Sequence, residues 1–67
     1  MRARDLRDLD DLDLEEKLTE ARQELFNLRF QSATGALEDH TRLRMTKREI
    51  ARILTVRHER EATRTGT

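Results

Sequence analysis

The chain has no cysteine, proline, tryptophan or tyrosine, and only two glycines, Gly35 and Gly66, in 67 residues. Without cysteine, neither a disulfide framework nor a thiolate zinc site is available, a composition that suits a reducing compartment. Without proline, and with one internal glycine, the only expected break in helical structure falls near Ser32-Ala33-Thr34-Gly35. Aromatics are limited to Phe26 and Phe30, and 42% of residues are charged against 34% hydrophobic. Few large side chains are left to fill an interior. A chain this short makes a single domain, residues 1–67, and buries too small a fraction of its surface to be comfortably stable alone, so a partner is expected to supply part of its stability. No stretch approaches the roughly 20 apolar residues needed to cross a bilayer. The start, Met1-Arg2-Ala3-Arg4-Asp5, runs into acids where a signal peptide needs an apolar run. The expectation is an unprocessed cytoplasmic protein with no membrane partner.

Catalytic constellations are also missing. His40 and His58 stand eighteen residues apart on what reads as one helix, too far apart to share a metal, and each reads as a solvated surface histidine. Asp10, Asp11, Asp13, Glu15 and Glu16 lack the glycine and ligand spacing of a calcium loop and are better explained as helix-start acids. There is no glycine-rich phosphate loop, nucleophile elbow or paired-acid motif. The chain is therefore read as no enzyme, with no cofactor, metal or small-molecule substrate.

What is present is helical periodicity and segregated charge. Leu14, Leu18, Ala21, Leu25 and Leu28 recur at spacings of four, three, four and three, which puts them on one helix face. Asp10 is the expected N-cap of this first long helix, about Asp11 to Ser32, and Gly35 its left-handed terminator. After a turn over about 33–38, Leu43, Thr46, Ile50 and Ile53 resume the spacing, with Met45, Leu54 and Val56 widening the apolar side. Asp39 is the expected N-cap of the second long helix, about His40 to Arg60. Each would extend roughly 30 Å at 1.5 Å per residue. Matched lengths and a short connection predict an all-α fold, an antiparallel two-helix hairpin. Met1 to Leu9 is expected to add a short helical turn, and residues 61–67 a frayed tail. Phe26 and Phe30, four apart beside the leucine stripe, read first as core and second as an edge for a neighbouring protein.

Formal charge sums to zero, but unevenly. Asp5 to Glu24 holds nine carboxylates against three bases, while Arg42 to Arg57 holds Arg42, Arg44, Lys47, Arg48, Arg52 and Arg57 against the single acid Glu49. One half repels phosphate and the other attracts it. On a helix the relevant neighbours lie three or four residues away, and Arg44, Lys47 and Arg48 have no acid there; Arg52 has Glu49. Arg44, Arg48 and Arg52 step by four, forming a ridge of guanidinium groups about 6 Å apart, comparable to phosphate spacing along one strand. Arg29 is likewise without an acid neighbour, near the same end of the hairpin. Like charges at this spacing are costly unless a polyanion neutralises them. A helix-turn-helix arrangement is absent, which argues against DNA, and scarce exposed aromatics argue against a single-strand stacking platform. Folded RNA, recognised by shape and charge, remains.

The segments Glu24-Leu25-Phe26-Asn27-Leu28-Arg29-Phe30-Gln31, Ala33-Thr34-Gly35 with Leu37, and Lys47-Arg48-Glu49-Ile50-Ala51-Arg52-Ile53 with Thr55 closely resemble the bacterial large-subunit ribosomal protein family numbered twenty-nine. The resemblance runs from the Met-Arg-Ala-Arg-Asp-Leu-Arg start to about Glu61. It implies a small helical hairpin bound to large-subunit ribosomal RNA near the exit of the nascent-peptide tunnel, beside the large-subunit protein numbered twenty-three. Carried over by position, it implies RNA-facing or RNA-positioning roles for Asn27, Arg29, Gln31, Gly35, Lys47, Arg48 and Arg52; the basic run itself adds Arg42 and Arg44. Two positions depart from the family pattern: His40 stands where many relatives have proline, and Thr46 replaces an aliphatic residue, its hydroxyl expected to return to a backbone carbonyl. The rival reading is a protein-interaction module, an antiparallel coiled coil or a self-associated bundle in which the basic ridge of one copy meets the acidic half of another.

Overall fold

The first long helix begins and ends, and the second begins, where local chemistry dictates. In the computed structural model, residues 3–64 are described and form three helices: α1 (Ala3–Arg7), α2 (Asp11–Ala33) and α3 (Thr41–Arg64). The Asp10 carboxylate accepts from the Asp13 N–H at 2.8 Å and caps α2, with Asp11 and Asp13 in its positive first turn. At the far end, the Ala36 N–H donates to the Gln31 carbonyl at 2.8 Å and the Gly35 N–H to the Ser32 carbonyl at 3.2 Å. This is the Schellman pattern, and it requires the left-handed φ of +78° that Gly35 adopts. Before α3, the Asp39 carboxylate accepts from the Thr41 N–H at 2.9 Å. The first α3 bond runs from the Arg44 N–H to the His40 carbonyl, so Asp39 caps from one position outside the helix.

The hairpin is antiparallel. Cross-helix ion pairs fix its register: Asp11 with Arg60 at 2.9 Å, Glu15 with Arg57 at 3.4 Å, and Glu24 with Arg42 at 2.6 Å. The result is a rod 47 Å long and under 20 Å across. Its buried cluster is Leu6, Leu14, Leu18, Ala21, Ile53 and Val56, flanked by the half-buried Leu9 and Ile50. All of these lie toward the end where α1 folds back against α3. Each fully buried leucine, isoleucine or valine contributes about 1.5–3 kcal/mol. Toward the turn, packing thins: Leu28 is buried, but Leu25, Leu37 and Leu43 are only half-buried. Buried Thr46 donates its hydroxyl to the Arg42 carbonyl at 2.9 Å, as its place in the stripe predicts.

Three expectations need correction. Phe26 and Phe30 are not core: they are 67% and 63% exposed. Each residue along a helix turns by about 100°, so Phe26 lies well off the line through Leu25 and Leu28, and a single partner helix covers only that line. For the same reason Met45, at 61% exposure, and Leu54, at 39%, do not widen the buried face of α3, although Val56 does. Of the frayed tail expected over residues 61–67, residues 61–64 continue α3, and 65–67 lie outside the described residues. Arg60 anchors that stretch, donating to the carbonyls of Arg7 (3.1 Å) and Leu9 as well as pairing with Asp11. Arg7 adds a two-pronged contact to Glu59 at 3.1 and 3.3 Å. Together these bonds clasp α1 across the open end of the hairpin.

Candidate nucleic-acid interface

The face of α3 opposite its packed residues is the basic one. Thr46 and Ile53 are buried and Ile50 half-buried, while Arg44, Lys47, Arg48 and Arg52 are exposed. Burying one stripe of a helix fixes what the opposite stripe presents to solvent. Arg44, Arg48 and Arg52 rise along the outer face, one turn apart. Lys47 turns about 100° from Arg48 and broadens the positive surface toward the other flank. Behind the ridge, a shallow groove runs past Met45, Arg48 and Arg52 to Glu24 and Asp39.

Ion pairing divides the bases into two sets. Arg7, Arg42, Arg57 and Arg60 each pair with a carboxylate on another helix. Arg29, Arg44, Lys47 and Arg48 form no ion pair among the described residues, and Arg52 lies one turn from Glu49. Arg44 is close enough to Asp39 to contribute to the depression of that carboxyl below its usual range, a shift caused first by the hydrogen bonds from Thr41. Arg42 thus differs from the rest of the basic run. Its guanidinium is held by Glu24, although its side chain remains 71% exposed, so its charge is already partly neutralised. That pairing crosses between helices, and a search of neighbours along one helix cannot find it.

The α2 residues singled out from sequence gather near the turn. Asn27, Arg29 and Gln31 are all exposed in the last two turns of α2, and Gly35 is exposed in the turn itself with open space around its Cα. The carbonyl of Gln31 is engaged in the Schellman turn, while its side chain is exposed to solvent. Sequence reasoning missed Arg22. It is exposed one turn before Phe26 and has no acid three or four residues away, a signal that was present in the spacing.

The acids take the opposite distribution. Asp13, Glu16 and Glu20 are exposed along the first half of α2. No helix among the described residues is long and apolar enough to cross a membrane.

The family model for ribosomal L29 protein matches residues 4–60. The chain belongs to the ribosomal L29 family. Three relatives bearing the name large ribosomal subunit protein uL29 illustrate the closeness. That of Maridesulfovibrio salexigens is 61% identical over 61 residues, spanning 91% of this chain and 95% of the relative. That of Chloroflexus aurantiacus is also 61% identical over 61 residues, spanning 91% and 90%. That of Persephonella marina is 52% identical over 66 residues, spanning 98% and 97%. The L29 family is one of structural proteins rather than enzymes. All of α2, and α3 as far as Arg60 with the whole Arg44–Arg52 ridge, fall inside the matched span.

Proposed function

We propose that this chain is a structural constituent of the large ribosomal subunit and binds large-subunit ribosomal RNA through the outer face of α3. The observation that carries the reading is the exposed ridge Arg44, Arg48 and Arg52 with Lys47 beside it, in a protein whose Arg7, Arg42, Arg57 and Arg60 are each paired with a carboxylate on another helix. Like charges one turn apart are costly in isolation and favourable against phosphate, where they displace condensed counterions. Asn27, Arg29 and Gln31 add directional hydrogen bonds near the turn, Gly35 lets the chain turn closely there, and Arg42 contributes through its exposed side. Family membership supports a cytoplasmic, ribosome-bound location near the nascent-peptide exit, with the protein numbered twenty-three as a neighbour. The acidic half of α2 then faces away from the RNA.

A tagged copy expressed in cells and sedimented in magnesium-containing buffer is expected to travel with the large subunit. Arg48→Ala with Arg52→Ala is expected to dissociate at lower salt and to reduce the salt slope of RNA binding by about one unit per side chain. Unchanged incorporation of the double variant across the salt series would remove these arginines from the interface. A self-associated species free of RNA would instead favour the bundle module.

A further inference from the structure

We propose that Phe26 and Phe30 form a stacking platform for unpaired nucleotides of the RNA, on the face of α2 that also carries Arg22 and Arg29. The proposal rests on the RNA-binding reading above and names the part of the RNA that this second surface takes. Two aromatic rings stand one helical turn apart on α2, 67% and 63% exposed, on the more loosely packed half of the hairpin. Their surroundings decide what kind of partner covers them. The residues three and four positions from Phe26 are Arg22, Gln23, Arg29 and Phe30; those around Phe30 are Phe26, Asn27, Ala33 and Thr34. The set holds two arginines and two amides and no acid. Arg22 and Arg29 form no ion pair among the described residues.

Leu12, on the same helix, is 79% exposed and supplies the contrast. Its corresponding neighbours are Asp8, Leu9, Glu15 and Glu16. An apolar anchor among acids repels a polyanion, whereas aromatic rings among arginines and amides match what an unstacked base presents: a flat π face, edges that exchange hydrogen bonds, and a phosphate on either side. Duplex RNA offers no such face, because its bases are stacked on one another. The platform therefore takes nucleotides from a loop, bulge or junction, while Arg22 and Arg29 take the phosphates on either side of them. This reverses the inference from sequence that the chain lacks aromatics for stacking; the two it has are both on the surface.

The test uses the full chain with a transcript of large-subunit ribosomal RNA in magnesium buffer, and a fully paired RNA duplex as the comparison. Phe30→Trp introduces the chain's only tryptophan at an exposed position. Its fluorescence is expected to be quenched by the ribosomal transcript and not by the duplex, at salt concentrations where both bind. Phe26→Ala with Phe30→Ala is expected to weaken transcript binding by about tenfold per ring, with the salt slope unchanged because no charge is removed, and with the helical signal of the free protein intact. If the wild-type chain binds the transcript and the double alanine variant binds it as tightly, the platform is overturned while the ridge stands. If the variant loses affinity only when neighbouring ribosomal proteins are added, the rings dock protein and the platform is again overturned. Failure of the wild-type chain to bind the transcript at all counts against the ridge itself.

Discussion

At the clasped end of the rod, Arg7, Arg57 and Arg60 are each held by a carboxylate, and Leu6, Leu14, Leu18, Ile53 and Val56 are almost wholly buried. At the turn end, Arg29, Arg44, Lys47 and Arg48 have no carboxylate within ion-pairing distance among the described residues, Leu25 and Leu43 are half-buried, and Phe26 and Phe30 face outward. The same two helices make both ends. The difference shows where a small protein places its limited apolar surface: one end is folded by its own contacts, and the other keeps charge and rings unmatched for something else. Arg42 marks the boundary, paired with Glu24 yet still largely exposed.

Substitutions can break this contrast. The largest effect is expected from Ile53→Ala, which empties a fully buried position in the clasped half. Truncations of this kind cost about 2–5 kcal/mol, a large share of the stability of so short a chain. Thermal unfolding followed by helical circular dichroism is expected to show most of the cooperative transition lost. A loss below about 1 kcal/mol would mean that the clasped half is not the main source of stability.

A smaller effect belongs to the turn. Gly35→Ala puts a Cβ on a residue at φ +78°, and since nothing lies within 4 Å of that Cβ the penalty is purely torsional. It is expected to cost about 1–2 kcal/mol, read as a lower urea midpoint with an unchanged m-value. No change in midpoint would show that the turn adopts another conformation in solution.

The smallest effect concerns Asp39. Folding holds its carboxyl below the ordinary value of 3.8, first through the hydrogen bonds from Thr41. A depressed folded pKa means that the ionised group favours the folded state at every pH above 3.8, and that this contribution disappears as pH falls through the lower folded value. Amide protection in the first turn of α3, taken relative to intrinsic exchange at each pH, is therefore expected to fall below that range before the clasped half responds. Asp39→Asn should make the protection of that turn insensitive to pH there; identical acid profiles of protection for the two chains would remove Asp39 from the cap.

What could be read from the sequence was what depends on residues close together in the chain. Asp10 and Gly35 mark the bounds of α2 because capping and left-handed turns are decided within four residues. The stripes Leu14–Leu28 and Leu43–Ile53 were legible because spacing alone sets the face, and they gave the hairpin. Asp39 was legible as a capping acid but not in its register, since an aspartate reaches a first-turn amide equally well from one residue further out. The pairs Glu24–Arg42 and Glu15–Arg57 depend on how one helix slides against the other, which the periodicity of either helix leaves open. The exposure of Phe26 and Phe30 was hidden for a related reason. Their spacing matches a core stripe as well as a surface one, and only the number of packing layers decides between them. The basic ridge was visible because Arg44, Lys47 and Arg48 have no acid three or four residues away; Arg22 could have been found by the same count.

The bonds from Arg60 to the carbonyls of Arg7 and Leu9 span 53 and 51 residues of chain. They impose an order in time. While the protein is being made, α1 emerges first and has nothing to hold it, because Glu59 and Arg60 have not yet been joined to the chain. Five residues form no lasting helix alone, so Leu6 stays in water until α3 is complete and has folded back. The earliest segment to be synthesised is then the last to be fixed. Its docking reports that the register of the two long helices is correct, since a slip of one turn would carry Arg60 away from all three of its partners.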